Sequence, residues 1–205
     1  MIAGTGEHAH VVAEAATAGG WEPIGQCGPI GPTERAGGGL PHLGTDDDLA
    51  AQLASTVSAD RPALVLGFGG PPDARRRAVE RQGPGATWAT IVHPAAWVSP
   101  SAELGSGAVV LAGAVVNTGA SVGAHAIVNS GAIVEHDVRV GSHAHIAPGA
   151  VVGGGAMIGD DAFIGLNASV RDHVTVGPGA TVGMGAVVVA DVPGGTLVMG
   201  VPARG

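Results

Sequence analysis

The chain has 205 residues, enough for two small domains or one of medium size. Its net charge is −8, it has no Lys and no Tyr, and it carries only 2 Phe and 3 Trp, which argues against a nucleic-acid partner or a base-stacking platform. No run of apolar residues is long enough for a membrane span, Met1-Ile2-Ala3-Gly4 leads into a motif rather than a signal peptide, and one cysteine, Cys27, excludes an internal disulfide, so a cytoplasmic setting is expected.

The first ninety residues alternate strand and helix signals. Met1-Ile2-Ala3 reads as the end of a strand, and Gly4-Thr5-Gly6-Glu7-His8-Ala9-His10 as a Gly-rich turn. The Ala-rich stretch 11–18 predicts a helix, and 21–27 a second strand. A Gly/Pro-rich loop covers 28–39. Thr45 before Asp46, Asp47 and Asp48 reads as an N-cap with acids in the first helical turn. The apolar run 63–67 predicts a buried strand, and 73–82 a helix carrying Arg75, Arg76 and Arg77. The alternation indicates an α/β domain with a parallel sheet. A strand, glycine turn and helix at its start is where such a domain holds phosphate. A Gly-x-Gly pair is equally at home in a plain tight turn. Ninety residues suit half of a dinucleotide fold, hence a mononucleotide or nucleotide sugar.

From Ile91 to Val192 the chain repeats every six residues without an insertion. The second place is always Val, Leu or Ile, and the sixth is Ala or, at 138, 174 and 192, Val. A hexapeptide period is the signature of a β-helix whose short strands wind round a triangular core. Three hexads make one coil of eighteen residues. Place two points inward, and Gly, Asp, Asn and Pro gather at places three to five, where the corners lie. At about 4.8 Å per coil, five to six coils make a prism roughly 27 Å long. The expected fold is therefore a small α/β, Rossmann-like domain over 1–88 followed by a left-handed parallel β-helix over 89–205.

The period also predicts which histidines stand together. His125 and His143 share place five and differ by eighteen, so they should stack on adjacent coils; His173 is at place five as well. His136 is at place four, a corner, and is followed by Asp137. One coil above it lies Gly154, within Gly153-Gly154-Gly155, and one coil below lies Thr118, beside Asn117. A corner imidazole beside a carboxylate suits a general base. Bare glycines facing it admit a thin ligand, and their N–H groups can stabilise an oxyanion. The same pattern also describes a solvated corner, and His125, His143 and His136 together offer three nitrogens to a metal.

Several segments resemble one family. Gly4-Thr5-Gly6-Glu7-His8-Ala9-His10-Val11-Val12, Leu43-Gly44-Thr45-Asp46-Asp47-Asp48-Leu49, Asn129-Ser130-Gly131-Ala132-Ile133-Val134-Glu135-His136-Asp137, His143-Ala144-His145-Ile146-Ala147-Pro148-Gly149-Ala150 and Val198-Met199-Gly200-Val201-Pro202-Ala203-Arg204 resemble the bacterial nucleotide-sugar acetyltransferases. That group includes UDP-4-amino-sugar N-acetyltransferases, perosamine N-acetyltransferases and sialic acid O-acetyltransferases. The resemblance implies a homotrimer that moves acetyl from acetyl-CoA to the amine, or the hydroxyl, of a nucleotide-linked or sialic-acid-type sugar, without a metal. It implies His136 as the base, Asp137 as its supporting carboxylate and Asn129 near the acceptor. It implies contacts to acetyl-CoA from His145, Gly154, Leu166 and Met184, and a grip on the nucleotide-sugar diphosphate from Gly4, Gly6, Glu7 and His8.

Three departures from the family pattern touch the nucleotide end: a short first strand, Glu7 in place of a glycine, and Cys27-Gly28-Pro29 where relatives carry an acidic pair. Two other functions use the same prism: a metal-dependent enzyme of the γ-carbonic anhydrase type, and a non-catalytic trimeric scaffold.

Overall fold

The computed structural model describes residues 1–28, 40–56, 61–70 and 72–205. The chain divides into two compact units, Met1–Ile91 and Val92–Gly205.

The first unit is built on a three-stranded parallel sheet of β1 (Ile2–Ala3), β2 (Gln26–Cys27) and β3 (Val65–Leu66), in the order β2-β1-β3. Helix α1 (Glu7–Ala18) follows β1, α2 (Asp46–Ser55) follows β2 and α3 (Pro72–Arg81) follows β3. One face of α1 (Ala9, Val12, Ala13 and Ala16) is buried. The core around α2 comprises Met1, Ala3, Cys27, Leu49, Leu53, Leu64, Leu66 and Ala78. Helix α2 starts where the sequence indicates: Thr45 accepts from the Asp48 N–H while the Asp48 carboxylate accepts from Thr45, a reciprocal capping box.

Two expectations need correction. Strand β2 occupies only the last two residues of the stretch 21–27. Helix α1 begins at Glu7, not at residue 11, so Glu7, His8 and His10 belong to its first turn rather than to the glycine turn. No side chain caps α1, because its N-cap is Gly6. Without a capping side chain or an apolar stripe over residues 7–10, the sequence hides this start. Most of the loop over 28–39 lies outside the described residues.

The second unit is a parallel β-solenoid with three sheets. The first face stacks Ile91–Val92, Val109–Val110, Ile127–Val128, His145–Ile146, Phe163–Ile164, Thr181–Val182 and Leu197–Val198. The second stacks Trp97–Val98, Val115–Val116, Ile133–Val134, Val151–Val152, Ser169–Val170 and Val187–Val188. The third stacks Glu103–Leu104, Ser121–Val122, Arg139–Val140, Met157–Ile158 and Thr175–Val176. Through Val188 each strand pairs with the one eighteen residues away, as in Ile133↔Val151 and Ile133↔Val115, and the last strand, Leu197–Val198, pairs with Thr181–Val182 at a separation of sixteen. Places two and six of the hexad fill the core; Val134, Ile146, Val152, Ala144 and Ala150 are all fully buried.

Among the described residues every non-glycine residue with positive φ lies at place five: His125, Asp137, His143, Asp161, Asn167 and His173, with φ between 55° and 59°. From Gly107 to Gly185 each hexad turns its corner on one left-handed residue at this place, a conformation that Gly, Asn, Asp and His tolerate best. That narrows the special position from places three to five down to one. The hexapeptide coils and parallel pairing fit a left-handed β-helix.

Candidate active site

The corner at 136–137 joins the second face to the third. Asp137 adopts the left-handed conformation, and its Oδ2 lies 2.9 Å from His136 Nδ1. Nδ1 therefore carries the proton and Nε2 presents a lone pair. Glu135 lies on the other side: its Oε2 accepts from Asn117 Nδ2 at 3.1 Å and from the His136 backbone N–H at 3.3 Å. The hydrogen bond to Asp137 is the main cause of a His136 pKa raised above the usual 6.5; desolvation opposes it, and the charges of Asp137 and Glu135 add to the rise. The imidazole is exposed, with 60% of its side chain accessible.

The coil above is bare where the imidazole lies. A Cβ on Gly154 would sit 2.6 Å from His136 Nε2 and 2.7 Å from Cε1. A side chain at this position would displace the ring from its place against the coil. The Gly155 N–H donates to the His136 carbonyl at 2.9 Å, and the Gly153 N–H donates to Val170. Two of the three glycine N–H groups are spent on the coil ladder, leaving Gly154's outside it. This corrects the expectation that the whole segment faces an oxyanion.

Asn129 and His145 form a second cluster, on the first face. Asn129 Oδ1 accepts from the Ser130 N–H at 2.8 Å, which turns Nδ2 toward His145 Nε2, 3.0 Å away. Nδ2 donates, so His145 Nε2 is the acceptor. Both side chains are buried, and Phe163 meets the His145 ring edge-on at 5.3 Å between centroids. Within one chain His145 and Asn129 thus sit on one face of the prism and His136 at the far end of the next. Leu166 and Met184 occupy the corner between the first and second faces on successive coils, and both are exposed, Met184 by 77%.

His125 and His143 stack as the period predicts, with ring centroids 5.0 Å apart and planes inclined by 19°. Among the described residues no group of three His, Cys, Asp or Glu side chains is placed to hold a metal.

In the first unit a cavity of about 340 Å³ opens beside the glycine turn, lined by Gly4, Thr5, Gly6, Asp46, Phe68, Ala74, Arg77, Ala78 and Arg81. Gly4 has φ +136°, and a Cβ there would meet the Gly67 backbone at 3.0 Å. Of the four residues predicted to grip a diphosphate, Gly4 and Gly6 line this cavity, whereas Glu7 and His8 do not. Burial first and the Arg75 charge second push the His8 pKa below its usual value. Sequence reasoning missed Asp46, Phe68, Arg77 and Arg81. Their one legible signal is spacing: Ala74, Arg77, Ala78 and Arg81 lie at i, i+3, i+4 and i+7, one face of α3.

Comparison with known proteins bears on the family of the chain. Residues 155–190 match the family model for the bacterial transferase hexapeptide (six repeats). A comparison with curated protein sequences gives no match. Among solved structures, the chain is similar to the acetyltransferase domain of PglB from Neisseria gonorrhoeae FA1090, at 37% identity and a TM-score of 0.89, covering 99% of this chain and 97% of that one. That domain has also been solved in complex with acetyl coenzyme A. A point mutant of perosamine N-acetyltransferase from Caulobacter crescentus, in complex with CoA and GDP-perosamine, matches at 35% identity and a TM-score of 0.88, covering 99% and 94%. WeeI from Acinetobacter baumannii AYE shares the fold, at 23% identity and a TM-score of 0.74 over 99% and 97%. With two such relatives aligned along nearly the whole of both chains, this chain belongs to the bacterial hexapeptide-repeat sugar acetyltransferases and is an acyltransferase.

Proposed function

We propose that this enzyme transfers an acetyl group from acetyl-CoA to a nucleotide-linked or sialic-acid-type sugar, to an amine in preference to a hydroxyl, with His136 as general base. The observation that carries the reading is the His136–Asp137 pair lying against Gly154. Nitrogen as the acceptor is favoured because the perosamine relative is an N-acetyltransferase.

In the proposed reaction the sugar amine attacks the thioester carbonyl while His136 Nε2 takes its proton. Asp137 holds Nδ1–H and stabilises the imidazolium that forms. The carbonyl oxygen gains charge as the tetrahedral intermediate forms, and the Gly154 N–H is the donor at hand. The carbon–sulfur bond then breaks, the thiolate leaves, and the proton on His136 passes to it through solvent. General-base action of this kind contributes about 10²–10⁴-fold.

Asn129 is assigned to the acceptor, and His145, Gly154, Leu166 and Met184 to acetyl-CoA. Because Asn129 and His145 stand on a different face from His136, the reading joins them across two copies of the chain. Outward residues support a homotrimer of prisms: the second face presents Trp97, Val115, Ile133, Val151 and Val187 with the single polar Ser169, whereas the third presents Glu103, Ser121, Arg139 and Thr175 with the single apolar Met157. The left-handed winding, the Rossmann-like character of the first unit and its grip on the nucleotide through Gly4, Gly6, Glu7 and His8 belong to the same proposal. So does the cytoplasm as its compartment, supported by the unpaired, buried Cys27.

The test is an acetylation assay over UDP-, GDP-, dTDP- and CMP-linked amino sugars, with acetyl-CoA binding followed separately. His136→Ala is expected to lower turnover by about 10²–10⁴-fold while acetyl-CoA still binds. Near-normal turnover in that variant would sink the assignment.

A further inference from the structure

The cavity beside the glycine turn holds charges that the proposed function does not explain. In α/β nucleotide sites a carboxylate beyond the second strand commonly accepts from the ribose hydroxyls. Here β2 ends in Cys27, a buried neutral thiol. A carboxylate reaches the cavity from another element. Asp46, the first residue of α2, lines the cavity with Gly4, Thr5 and Gly6. It is close enough to Cys27 that, after burial itself, its charge is the largest influence pushing the thiol pKa up.

Asp46 is held there by α3. Arg81 Nη1 lies 3.2 Å from Asp46 Oδ2, and Arg81 Nε lies 3.6 Å from Asp47 Oδ1. The Asp46 side chain is 19% exposed, so its carboxylate has little water of its own. One turn earlier on the same helical face, Arg77 lines the cavity too. A chain without Lys, with Glu7 beside its glycine turn, needs a cation if it is to hold a diphosphate, and Arg77 provides one. Phe68 supplies an aromatic wall. About 300–1,000 Å³ is the range of small-molecule sites, and this cavity falls within it.

Building on the nucleotide-sugar reading, we propose that Asp46 and Arg77 make this cavity selective for ribonucleoside diphosphates. Asp46 accepts from the ribose 2′- and 3′-hydroxyls, Arg77 pairs with the phosphates beside the Gly4–Gly6 backbone, and Arg81 is a positioning residue that fixes Asp46. The acid that the second strand lacks is thereby supplied by the second helix. A deoxyribose-linked donor loses half of the hydroxyl pair.

The experiment is titration calorimetry on the full chain with UDP against 2′-deoxy-UDP and GDP against 2′-deoxy-GDP, with acetyl-CoA affinity as the check on folding. Wild type is expected to prefer the ribonucleotide of each pair by about 10-fold or more. Asp46→Asn should bring each pair within about 2-fold, and Arg81→Gln should follow it part of the way. Arg77→Gln should weaken both members about 10–100-fold and flatten the salt dependence. Equal affinity of wild type for ribo- and deoxynucleotides overturns the proposal, as does an Asp46→Asn protein that keeps the preference. Wild type that binds none of the four diphosphates also overturns it. If that protein still acetylates a nucleotide-free amino sugar, the acetyl-transfer reading survives alone.

Discussion

His136 gains its chemistry from three immediate surroundings: a carboxylate on Nδ1, a second carboxylate behind the backbone, and a glycine on the coil above the ring. The first two raise its pKa, so the imidazole stays protonated to a higher pH than an ordinary histidine. A protonated base accepts nothing, so kcat/KM falls as pH drops through that raised value, and the acid limb lies above pH 6.5, the usual His value. Asp137→Asn removes the main cause. The limb should move to lower pH while the maximal rate falls, because the ring loses its orientation. A pH–rate profile with an unmoved limb would count against the pairing. Gly154→Ala tests the third feature: its Cβ would overlap Nε2 at 2.6 Å, displacing a ring that is free to swing outward. The expected result is a loss of turnover of about 10-fold or more with the melting temperature little changed, since a 1 Å misplacement alone can cost about 10²-fold.

At the scale of the element, the hexad assigns every residue a job. Place two packs the core, place five turns the corner and place four carries the exposed groups. Ile146 is fully buried at place two of the strand that bears His145. Ile146→Ala should cost about 2–5 kcal/mol in chemical denaturation, as large-to-small changes in cores do. The same change should loosen His145 and Asn129, which depend on that strand for their 3.0 Å contact. Helix α1 was harder to read than any coil, for a local reason. Its cap is a glycine and its first turn holds Glu7, His8 and His10, none of which marks an apolar face. Helix α2 announced itself through Thr45 and Asp48, because a side-chain capping box is written in residue types.

At the scale of the molecule, the proposed site needs more than one chain. His136 and the Asn129–His145 pair lie on different faces of one prism, so the reading predicts complementation. Mixing His136→Ala with His145→Ala subunits after denaturation and refolding should restore part of the activity that each variant lacks. Sedimentation should give three times the 19.8 kDa chain mass. Mixed subunits that stay inactive while forming trimers would show that the two clusters do not serve one site.

The sequence by itself determined the solenoid, its register and the vertical neighbours of His136. A period of six leaves only one way to bury seventeen aliphatic residues, and arithmetic does the rest. The same arithmetic sets His125 against His143 and Gly154 over His136. What only the tertiary structure decided was non-periodic. Asp46, Phe68, Arg77 and Arg81 come from three separate segments of the first unit, and no spacing links α2 to α3. The spending of the Gly153 and Gly155 N–H groups on the coil ladder is likewise a matter of which backbone group faces which. Periodic packing is encoded in residue types at fixed intervals; a cavity is encoded in how unrelated segments meet.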